Sequence, residues 1–516
     1  MSVAPIRLFR SFATVGGWTM ASRVLGFARD IMIAALLGTG AVAEAFFVAF
    51  RLPNMFRRFF AEGAFNTAFV PMFAKRLEGD GPDEARAFAE QAMAALASAL
   101  LALTLVAQLA MPWFVLALAS GLDEERFDLA VVFSRICFPY VLFVSLAALF
   151  SGVLNSFGRF AAAAAAPVLL NVVLIGAMTL AWAADWAVGW TLAWATFFGG
   201  IAQLALVVLA ARRIGMRLRP RLPRLTPEVR RLIAIGVPAA LAGGVMQINL
   251  VVGTQVASYF DGAVGWLWYA DRVYQLPLGV VGIAIGVVLL PELSRRLRAE
   301  DTVSARAAMN RATEFCLILT IPATVALLAV PEAITAGLFQ RGAFDASDTQ
   351  ATALALRIYA LGLPAFVLQK ILQPAFFARE DTTSPFRYAL VGMVVNLVLA
   401  VALAPLIGWV AAAVGATAAA WTMVLLLHRG ARQFGESAQA DERLAARWPR
   451  IVGAALVMGA AIWLMALAAV RYAPDWPVAG LAAVVLVGMG VYTAAAALLG
   501  AFRVAEIRAA MRRPRT

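Results

Sequence analysis

The side chains on which most enzymes and metal sites depend are scarce in this sequence. Among 516 residues there is one histidine, His428, and there are two cysteines, Cys137 and Cys316. Both cysteines lie in apolar runs and lack metal-ligand spacing, so the sequence predicts neither a disulfide framework nor a zinc site. We therefore predict that the protein is not an enzyme, because catalytic hypotheses that need histidine, cysteine or clustered acids find no support.

Charged residues are scarce as well. They make up 14% of the chain, whereas 63% of the residues are hydrophobic, and a soluble domain has roughly 25% charged and 45–50% apolar residues. A soluble fold of this composition would expose apolar surface that it could not cover. The solvent must therefore be lipid over most of the chain.

The apolar runs set the number of membrane crossings. A hydrocarbon core about 30 Å thick is spanned by about 20 helical residues. The fold class predicted from this length is an all-α polytopic membrane protein with 14 transmembrane helices. Their centres lie near Leu25, Phe60, Leu105, Leu142, Leu174, Leu204, Ile248, Ile283, Val325, Val367, Leu397, Val424, Trp463 and Val487.

Basic residues alternate from loop to loop and predict the orientation. One set of loops is rich in arginine, above all Arg212–Arg231, whereas the intervening loops contain only Arg126, Arg341 and Arg471 as basic residues. Positive loops stay cytoplasmic, so both termini are predicted to be cytoplasmic. The formal net charge of +13 then reflects topology and anionic headgroups, and no nucleic-acid partner is predicted.

Two stretches about 220 residues apart resemble each other. A Leu-Pro dipeptide ending at Pro53 is followed by Pro71 and a basic pair, and the same dipeptide ending at Pro277 is followed by Pro291 and a basic pair. A repeat of six helices crosses the membrane in one direction in both copies, and parallel repeats of this kind are a transporter architecture. The predicted domains are an N-lobe at 1–220 (helices 1–6), a C-lobe at 221–435 (helices 7–12), and 436–516 (helices 13 and 14).

Several charges fall inside predicted spans. A basic residue costs roughly 2.5–3.5 kcal/mol at a helix centre, so such residues should face a protein interior or a wet cavity. Acids are fewer than bases in these spans. The bases are Arg23, Arg29, Arg51, Arg57, Arg58, Arg135, Arg272, Arg357 and Lys370, and the acids are Asp30, Glu44, Glu62 and Asp271.

Ion pairing is the alternative to ligand binding for some of these bases. Arg58 and Glu62 are four residues apart on one helix face, and Arg23 and Asp30 are seven apart. For Arg58 and Arg29, structural pairing and ligand binding are equally open. After pairing, the interior remains net positive, and because arginine forks match phosphate oxygens, a site for a phosphate-bearing anion is predicted.

Glycines and prolines lie beside these arginines in the first, second and eighth predicted helices. Such residues allow bends and close helix contact within a membrane. Plain packing is the commoner role for any single one, but as a set beside the arginines they suggest moving helices. The residues predicted to act as gates or hinges are Gly26, Gly38, Pro53 and Pro277.

Five blocks carry a family resemblance. They are Ser22–Asp30 (SRVLGFARD), Ala45–Asn54 (AFFVAFRLPN), Arg57–Phe65 (RRFFAEGAF), Tyr269–Arg272 (YADR) and Gln275–Pro277 (QLP). These blocks resemble the MurJ (MviN) lipid II flippase family of the multidrug/oligosaccharidyl-lipid/polysaccharide exporter superfamily. The resemblance implies fourteen helices, two six-helix lobes and a central cationic cavity, in agreement with the charge pattern and the repeat.

The resemblance also implies residue roles. Arg23, Arg29 and Arg57 match cavity arginines that the family needs, and Asp30 is expected to orient Arg29. Asp271 and Arg272 match the acid–arginine pair of the eighth helix, so these six residues are the predicted substrate-binding set. The secondary candidates are Ser22, Glu44 (where relatives can carry aspartate), Arg58 and Glu62.

Further expectations concern ligands and partners. The resemblance implies that helices 13 and 14 form a groove for an isoprenoid tail, and no cofactor is expected. Some relatives bind sodium between the seventh and eleventh helices, where this chain has Gln247, Asn249 and Asn396 but no intramembrane acid. A monovalent cation therefore stays an open possibility, and membrane lipids and the cell-wall synthesis machinery are the other expected partners.

The function implied by the resemblance is that of a flippase in the bacterial inner membrane. It would carry lipid II (undecaprenyl-pyrophosphate-linked disaccharide pentapeptide) from the inner to the outer leaflet by alternating access, with arginines binding the pyrophosphate. One alternative is an exporter of another polyprenyl-linked saccharide or of drugs. Others are a membrane-embedded glycosyl- or phosphotransferase, for which Asp30, Glu62 and Asp271 are too few acids, and a lipid scaffold that transports nothing.

Overall fold

Apolar stretches of the chain form long helices, because a backbone in lipid must satisfy its polar groups within its own segment. The computed structural model describes residues 5–57, 64–299, 301–472 and 476–501, with side chains omitted at 5–13, 64–67, 237–250, 280–288, 290–291 and 436–438. Regular structure in these ranges is helical, which confirms the all-α fold class.

Long α-helices make up most of the described chain. In chain order, the first nine are α1 (Pro5–Leu37), α2 (Ala41–Arg57), α3 (Ala64–Gly79), α4 (Pro82–Leu118), α5 (Glu124–Cys137), α6 (Tyr140–Ser156), α7 (Phe160–Ala183), α8 (Val188–Arg213) and α9 (Pro227–Ala257). The others are α10 (Ala263–Arg298), α11 (Thr302–Ala329), α12 (Pro331–Phe339), α13 (Ala346–Phe377), α14 (Thr383–Ile407), α15 (Val410–Ala431), α16 (Glu442–Tyr472) and α17 (Pro477–Leu498). A short 3₁₀ segment, Arg432–Ala438, precedes α16.

Ten stretches among the described residues are long and apolar enough to cross a membrane, and each contains one of the predicted span centres. They are Pro82–Leu118, Glu124–Ser156, Phe160–Ala183, Val188–Arg213, Thr302–Ala329, Ala346–Phe377, Thr383–Ile407, Val410–Gly435, Glu442–Tyr472 and Pro477–Leu498. The chain is therefore a multi-pass membrane protein.

Four predicted spans are not among these ten. Those centred near Leu25, Ile248 and Ile283 fall within the long helices α1, α9 and α10. The span centred near Phe60 includes residues 58–63, which lie outside the described residues. The total of 14 transmembrane helices thus stays a prediction.

The chain forms two compact units, Met1–Gly265 and Trp266–Thr516. In the first unit, α9 packs against α3 and α4, so this unit extends beyond residue 220. The two compact units are defined by contacts, whereas the predicted lobes are defined by the sequence repeat, so the units do not test the lobes. The lobes at 1–220, 221–435 and 436–516 stay a prediction.

Stacked phenylalanines form part of the core of the first unit. The ring centroids of Phe69 and Phe73 in α3 are 5.6 Å apart, and Phe69 stacks at 5.6 Å on Phe88 of α4. The guanidinium of Arg76 lies 4.4 Å from the Phe88 ring centroid, so its charge covers the end of the stack while its stem packs on it. These contacts pack α3 against α4.

In the second unit, a buried carboxylate ties α16 to α11. Glu314 of α11 accepts hydrogen bonds from Arg443 at 3.1 and 3.2 Å and from the guanidinium groups of Arg311 and Arg447. Asp441, which pairs with Arg311, also accepts from the Leu444 amide at 2.7 Å and so caps the start of α16. A buried carboxylate is stable only when it is paired and hydrogen-bonded, and these arginines supply both.

Candidate functional site

Arg29, one of the predicted substrate ligands, is buried and paired with its neighbour Asp30. Its Nε and Nη2 atoms donate to Asp30 Oδ1 at 3.1 and 2.8 Å, and both side chains are buried. Adjacent residues do not normally face each other on a helix, but the long arginine side chain wraps back to its neighbour. Arg29 and Asp30 are thus hydrogen-bonded to each other, whereas in the described residues Asp30 is not paired with Arg23; the task of Asp30 in orienting Arg29 for a substrate stays a prediction.

The second partner of Arg29 is an asparagine that sequence reasoning did not single out. Arg29 Nη1 donates to Oδ1 of the buried Asn171 in α7 at 3.0 Å, and Asn171 Nδ2 donates to the Ser22 carbonyl at 3.0 Å. The Arg29 guanidinium also lies 5.5 Å from the Phe50 ring centroid in α2. Arg29 therefore links three helices, and Asn171 fixes both its position and the backbone of α1.

Gly26 lies where α7 approaches α1. A Cβ atom on Gly26 would lie 3.5 Å from Asn171 Nδ2, so an alanine would fill the available space and a larger side chain would displace the amide. Gly38 has a φ of 58° directly after the end of α1, which is the left-handed conformation that glycine adopts easily. Pro53 lies inside α2 and Pro277 inside α10; the gate and hinge roles of these four residues stay predictions.

Arg23 differs from Arg29 in its surroundings. It is exposed, and in the part of the chain that the structure describes no carboxylate pairs with it. At about 100° per residue, six residues place Arg23 and Arg29 on different faces of α1. Arg57, the last described residue of α2, is partly buried. In its described residues the first unit thus combines a neutralised arginine with an exposed guanidinium that no carboxylate pairs.

We predict that replacing Asn171 with leucine lowers transport at least tenfold with little loss of protein. The change leaves Arg29 paired with Asp30 but leaves its buried Nη1 without the Asn171 acceptor, and an unsatisfied buried donor costs about 1–3 kcal/mol. The measurement is transport per molecule beside abundance in the membrane. Thr179→Val is the control, since this hydroxyl donates only within α7, to the Ile175 carbonyl at 2.9 Å. If abundance and transport fall in parallel in Asn171→Leu, Asn171 has a structural role and no role in transport.

A second charged cluster joins three segments of the first unit. We call it the Arg126 cluster: Arg126, Glu44, Asp123 and Asp261. Arg126 Nη1 donates to Glu44 Oε2 at 3.1 Å and to Asp261 Oδ1 at 2.6 Å, and Arg126 Nε lies 3.4 Å from Asp123 Oδ2. Glu44 is buried, and its Oε1 accepts from the Val264 amide in the first turn of α10 at 3.1 Å. A carboxylate of α2 therefore caps the start of α10, where the helix dipole favours negative charge.

Hydrogen bonds beside the Arg126 cluster hold the same segments together. The Ser120 amide donates to Gln255 Oε1 at 3.1 Å, the Ser120 hydroxyl lies 2.8 Å from the Tyr259 hydroxyl, and the Gly121 amide donates to Ser258 Oγ at 2.9 Å. A Cβ on Gly121 would lie 2.5 Å from Tyr259, so only glycine allows this contact. The α4–α5 loop is thereby fastened to the end of α9.

In the second unit, the predicted acid–arginine pair lies on α10. The Arg272 guanidinium is 4.4 Å from the ring centroid of Trp268, and Asp271 accepts a hydrogen bond from Gln275. Both contacts join residues four apart on one helix, so Asp271 and Arg272 are each held by a neighbour on their own face. Burial of the Trp268 ring strengthens the cation–π contact.

Other residues that the sequence analysis named make contacts elsewhere in the protein or lie outside the residues that the structure describes. Arg135 bonds the Gln108 carbonyl at 3.2 Å and Arg357 pairs with Glu332 at 2.9 Å, so both are engaged by the protein itself. Arg58 and Glu62 lie outside the described residues, as do the side chains of Gln247 and Asn249. Glu44 of the Arg126 cluster was a secondary candidate, whereas Arg126 and Asn171 were missed as site residues because their partners are distant in sequence. Only the isolation of Arg126 as a base in an intervening loop gave a signal.

Comparison with protein families gives one description for most of the chain. A family model described as "Lipid II flippase MurJ" matches residues 33–484. A protein of Rhizobium tropici named "Probable lipid II flippase MurJ" is 44% identical, over 98% of this chain and 97% of that protein. A protein of Rhizobium meliloti with the same name is 47% identical, over 89% of this chain and 86% of that protein.

Solved structures show the same fold. "Lipid II flippase MurJ, inward closed conformation" aligns with a TM-score of 0.80 at 23% identity and covers 96% of this chain and 99% of that one. An inward-facing multidrug resistance MATE family transporter of the MOP superfamily aligns with a TM-score of 0.70 at 14% identity, over 82% of this chain and 97% of that one. At these identities the likeness concerns the architecture.

Proposed function

The chain belongs to the lipid II flippase MurJ family, and from this premise we propose that it moves lipid II across the bacterial inner membrane. The substrate carries a pyrophosphate between a sugar–peptide head and an isoprenoid tail. Transport requires that the head be taken through the apolar layer while the tail remains in lipid. The protein must therefore offer the pyrophosphate a polar environment within the membrane.

The exposed guanidinium of Arg23 is the observation that carries this proposal. An unpaired arginine within a membrane helix costs roughly 2.5–3.5 kcal/mol on insertion scales, and a diphosphate would offset that cost through charge-assisted, bidentate hydrogen bonds. Arg29 is less available because Asp30 and Asn171 already occupy its donors. We assign phosphate binding first to Arg23, and give Arg29, Asp30 and Asn171 the task of holding that part of α1 in place.

Arg57, Asp271 and Arg272 extend the proposed set of substrate-binding residues. Arg57 ends the described part of α2, and Arg272 is held against Trp268. Arg57 and Arg272 can each be tested alone, because removal of one cationic group weakens phosphate binding without requiring the others to move. Glu44 has a different proposed task, since its carboxylate is engaged by Arg126 and the start of α10.

The Arg126 cluster supports alternating access. Together with Ser120, Gly121 and their partners, it fastens α2, α5 and the α9–α10 turn at one end of the first unit. These residues belong to loops that the charge pattern predicts to be outside the cytoplasm. We propose that this cluster closes the outer end while the substrate enters, and that it separates when the substrate leaves.

Orientation and energetics complete the proposal. Both termini are proposed to be cytoplasmic, because the arginine-rich loops lie on the same side as the ends of the chain. An anion that moves outwards in a cell with a negative interior gains roughly 2.3 kcal/mol per charge per 100 mV. The membrane potential therefore favours the proposed direction without covalent chemistry.

Depletion of the protein in its own host tests the function. We expect the fraction of lipid II exposed on the outer leaflet to fall while total lipid II accumulates, because synthesis continues on the inner side. The measurement is modification of lipid II by a reagent that cannot cross the membrane, with total lipid II from extracts as the reference. An unchanged exposed fraction, or the loss of a different polyprenyl-linked saccharide instead, would overturn the assignment of lipid II.

A further inference from the structure

The segment between α8 and α9 has a composition unlike the rest of the chain. Residues Arg212–Arg231 contain eight arginines and one acid, Glu228. Arg217–Leu225 alternates arginine with leucine and proline, and residues 216–226 have no helical structure. The segment follows the end of a membrane helix at Arg213, so it lies within reach of lipid headgroups.

This segment is fixed to the first unit at its start. Met216 is buried and Leu218 packs on the core beneath it. The buried Glu90 of α4 accepts from the Arg219 amide at 3.0 Å, and Arg221 Nε lies 2.5 Å from Glu90 Oε2. The backbone is therefore held in one extended path.

Between this anchor and the start of α9, two leucine side chains point away from the core. Leu222 is 84% exposed and Leu225 is 64% exposed. Leucines exposed next to arginines are costly in water but are stabilised at a membrane surface, where apolar side chains reach the acyl boundary and basic ones reach the phosphates.

A cavity of about 230 Å³ lies against the same segment and is lined by Gln91, Arg221, Leu222 and Arg224. Glu90 neutralises part of the charge of Arg221, and no carboxylate pairs with Arg224 in the described part of the chain. The buried side-chain oxygen of Gln91 has no hydrogen-bond donor among the described residues. The cavity thus offers two guanidinium groups and one acceptor for a hydroxyl.

We propose that this cavity binds the headgroup of an anionic phospholipid that carries a hydroxyl, as phosphatidylglycerol does. Arg221 and Arg224 bind the phosphate, Gln91 accepts from a headgroup hydroxyl, and Leu222 and Leu225 enter the acyl boundary. This site is separate from the proposed path of lipid II, because it lies on the linker and uses none of the residues assigned to transport.

Native mass spectrometry of the full chain in detergent tests this site, with dioleoyl-phosphatidylglycerol and dioleoyl-phosphatidylcholine as probes. Each basic side chain near a lipid surface contributes about fivefold in affinity. We expect Arg221→Ala/Arg224→Ala to weaken phosphatidylglycerol binding about 25-fold. The control Arg212→Ala/Arg213→Ala removes the same charge from the end of α8, outside the residues that line the cavity, and should weaken binding clearly less than the Arg221/Arg224 change does.

Two further variants keep the test decisive if the double variant folds poorly. Arg224→Ala alone removes no contact with Glu90 and should weaken binding about fivefold. Gln91→Leu should reduce the preference for phosphatidylglycerol over dioleoyl-phosphatidic acid, which lacks the headgroup hydroxyl.

Equal losses in the Arg221/Arg224 and Arg212/Arg213 double variants would show general charge attraction and overturn the site. Displacement of the lipid by 10-fold molar excess of inorganic phosphate would overturn it as well, because it would identify a site for soluble anions. Lipid II transport by the same variants is expected to persist, so failure of this proposal and failure of the flippase proposal are distinguishable.

Discussion

Replacing Arg23 with alanine is expected to leave the protein in the membrane and to lower lipid II transport ten- to a hundredfold. Hydrogen bonds to a charged group are worth about 1.5–3 kcal/mol, and Arg23 has no carboxylate partner in the described residues whose loss would disturb the fold. The measurement is the exposed fraction of lipid II in a depletion strain that carries the variant, divided by the amount of protein.

Two companion variants sharpen this result. Arg23→Lys keeps the charge but loses the planar fork, so it should restore part of the transport and not all of it. Arg135→Ala is the matched control, because this exposed arginine in a membrane helix bonds only the Gln108 carbonyl and should stay within about twofold of the parent protein. Full complementation by Arg23→Ala would show that the phosphate is bound elsewhere.

Breaking the Arg126 cluster should open the outer end of the first unit. Arg126→Ala leaves the buried Glu44 without its cationic partner, and loss of one partner of a buried pair costs about 3–5 kcal/mol. The closed state should therefore lose population. A cysteine in place of the buried Val264 reports this opening. The backbone amide of residue 264 donates the hydrogen bond to Glu44, so this bond does not depend on the side chain. We expect at least a tenfold faster reaction with a membrane-impermeant maleimide added outside the cell.

The background for this measurement lacks the buried cysteines Cys137 and Cys316. Arg341→Ala is the control, since Arg341 bonds only carbonyls of its own segment, Gly337 and Leu338, at 2.8 Å. Glu44→Gln added to Arg126→Ala should slow the reaction again, because a neutral amide oxygen can still accept from Val264. Reaction that needs a membrane-permeant reagent would place the cluster on the cytoplasmic side and contradict the proposed orientation.

These two predictions address different requirements of a transporter. Arg23 concerns differential binding of the substrate, whereas Arg126 concerns the relative stability of conformations. A ligand shifts a conformational equilibrium only by its difference in affinity between states. If Arg23→Ala abolishes transport without changing the reactivity of Val264→Cys, the two functions are separable in this chain.

Much of the architecture could be predicted from composition and periodicity alone. The ten described spans coincide with predicted centres because a stretch of about 20 apolar residues has no stable place other than a membrane-spanning helix. The pairing of Arg29 could not be predicted in the same way. Asp30 is adjacent in sequence, and whether the guanidinium reaches it depends on χ angles and on Asn171, which lies 142 residues away.

The sequence by itself determined that most of the chain lies in a membrane, that it is helical and that basic groups fall within its spans. This was possible because hydropathy and charge are properties of each residue and do not depend on which distant residues are its neighbours. Tertiary structure alone decided which of these charges are neutralised. Arg29 is satisfied by Asp30 and Asn171, Glu44 by Arg126 and the start of α10, and Arg23 is left exposed. Electrostatic pairing falls off within a few ångströms in a way that sequence separation does not encode, so the packing of α1 on α7 and of α2 on α5 selects the arginine that is available to an anion.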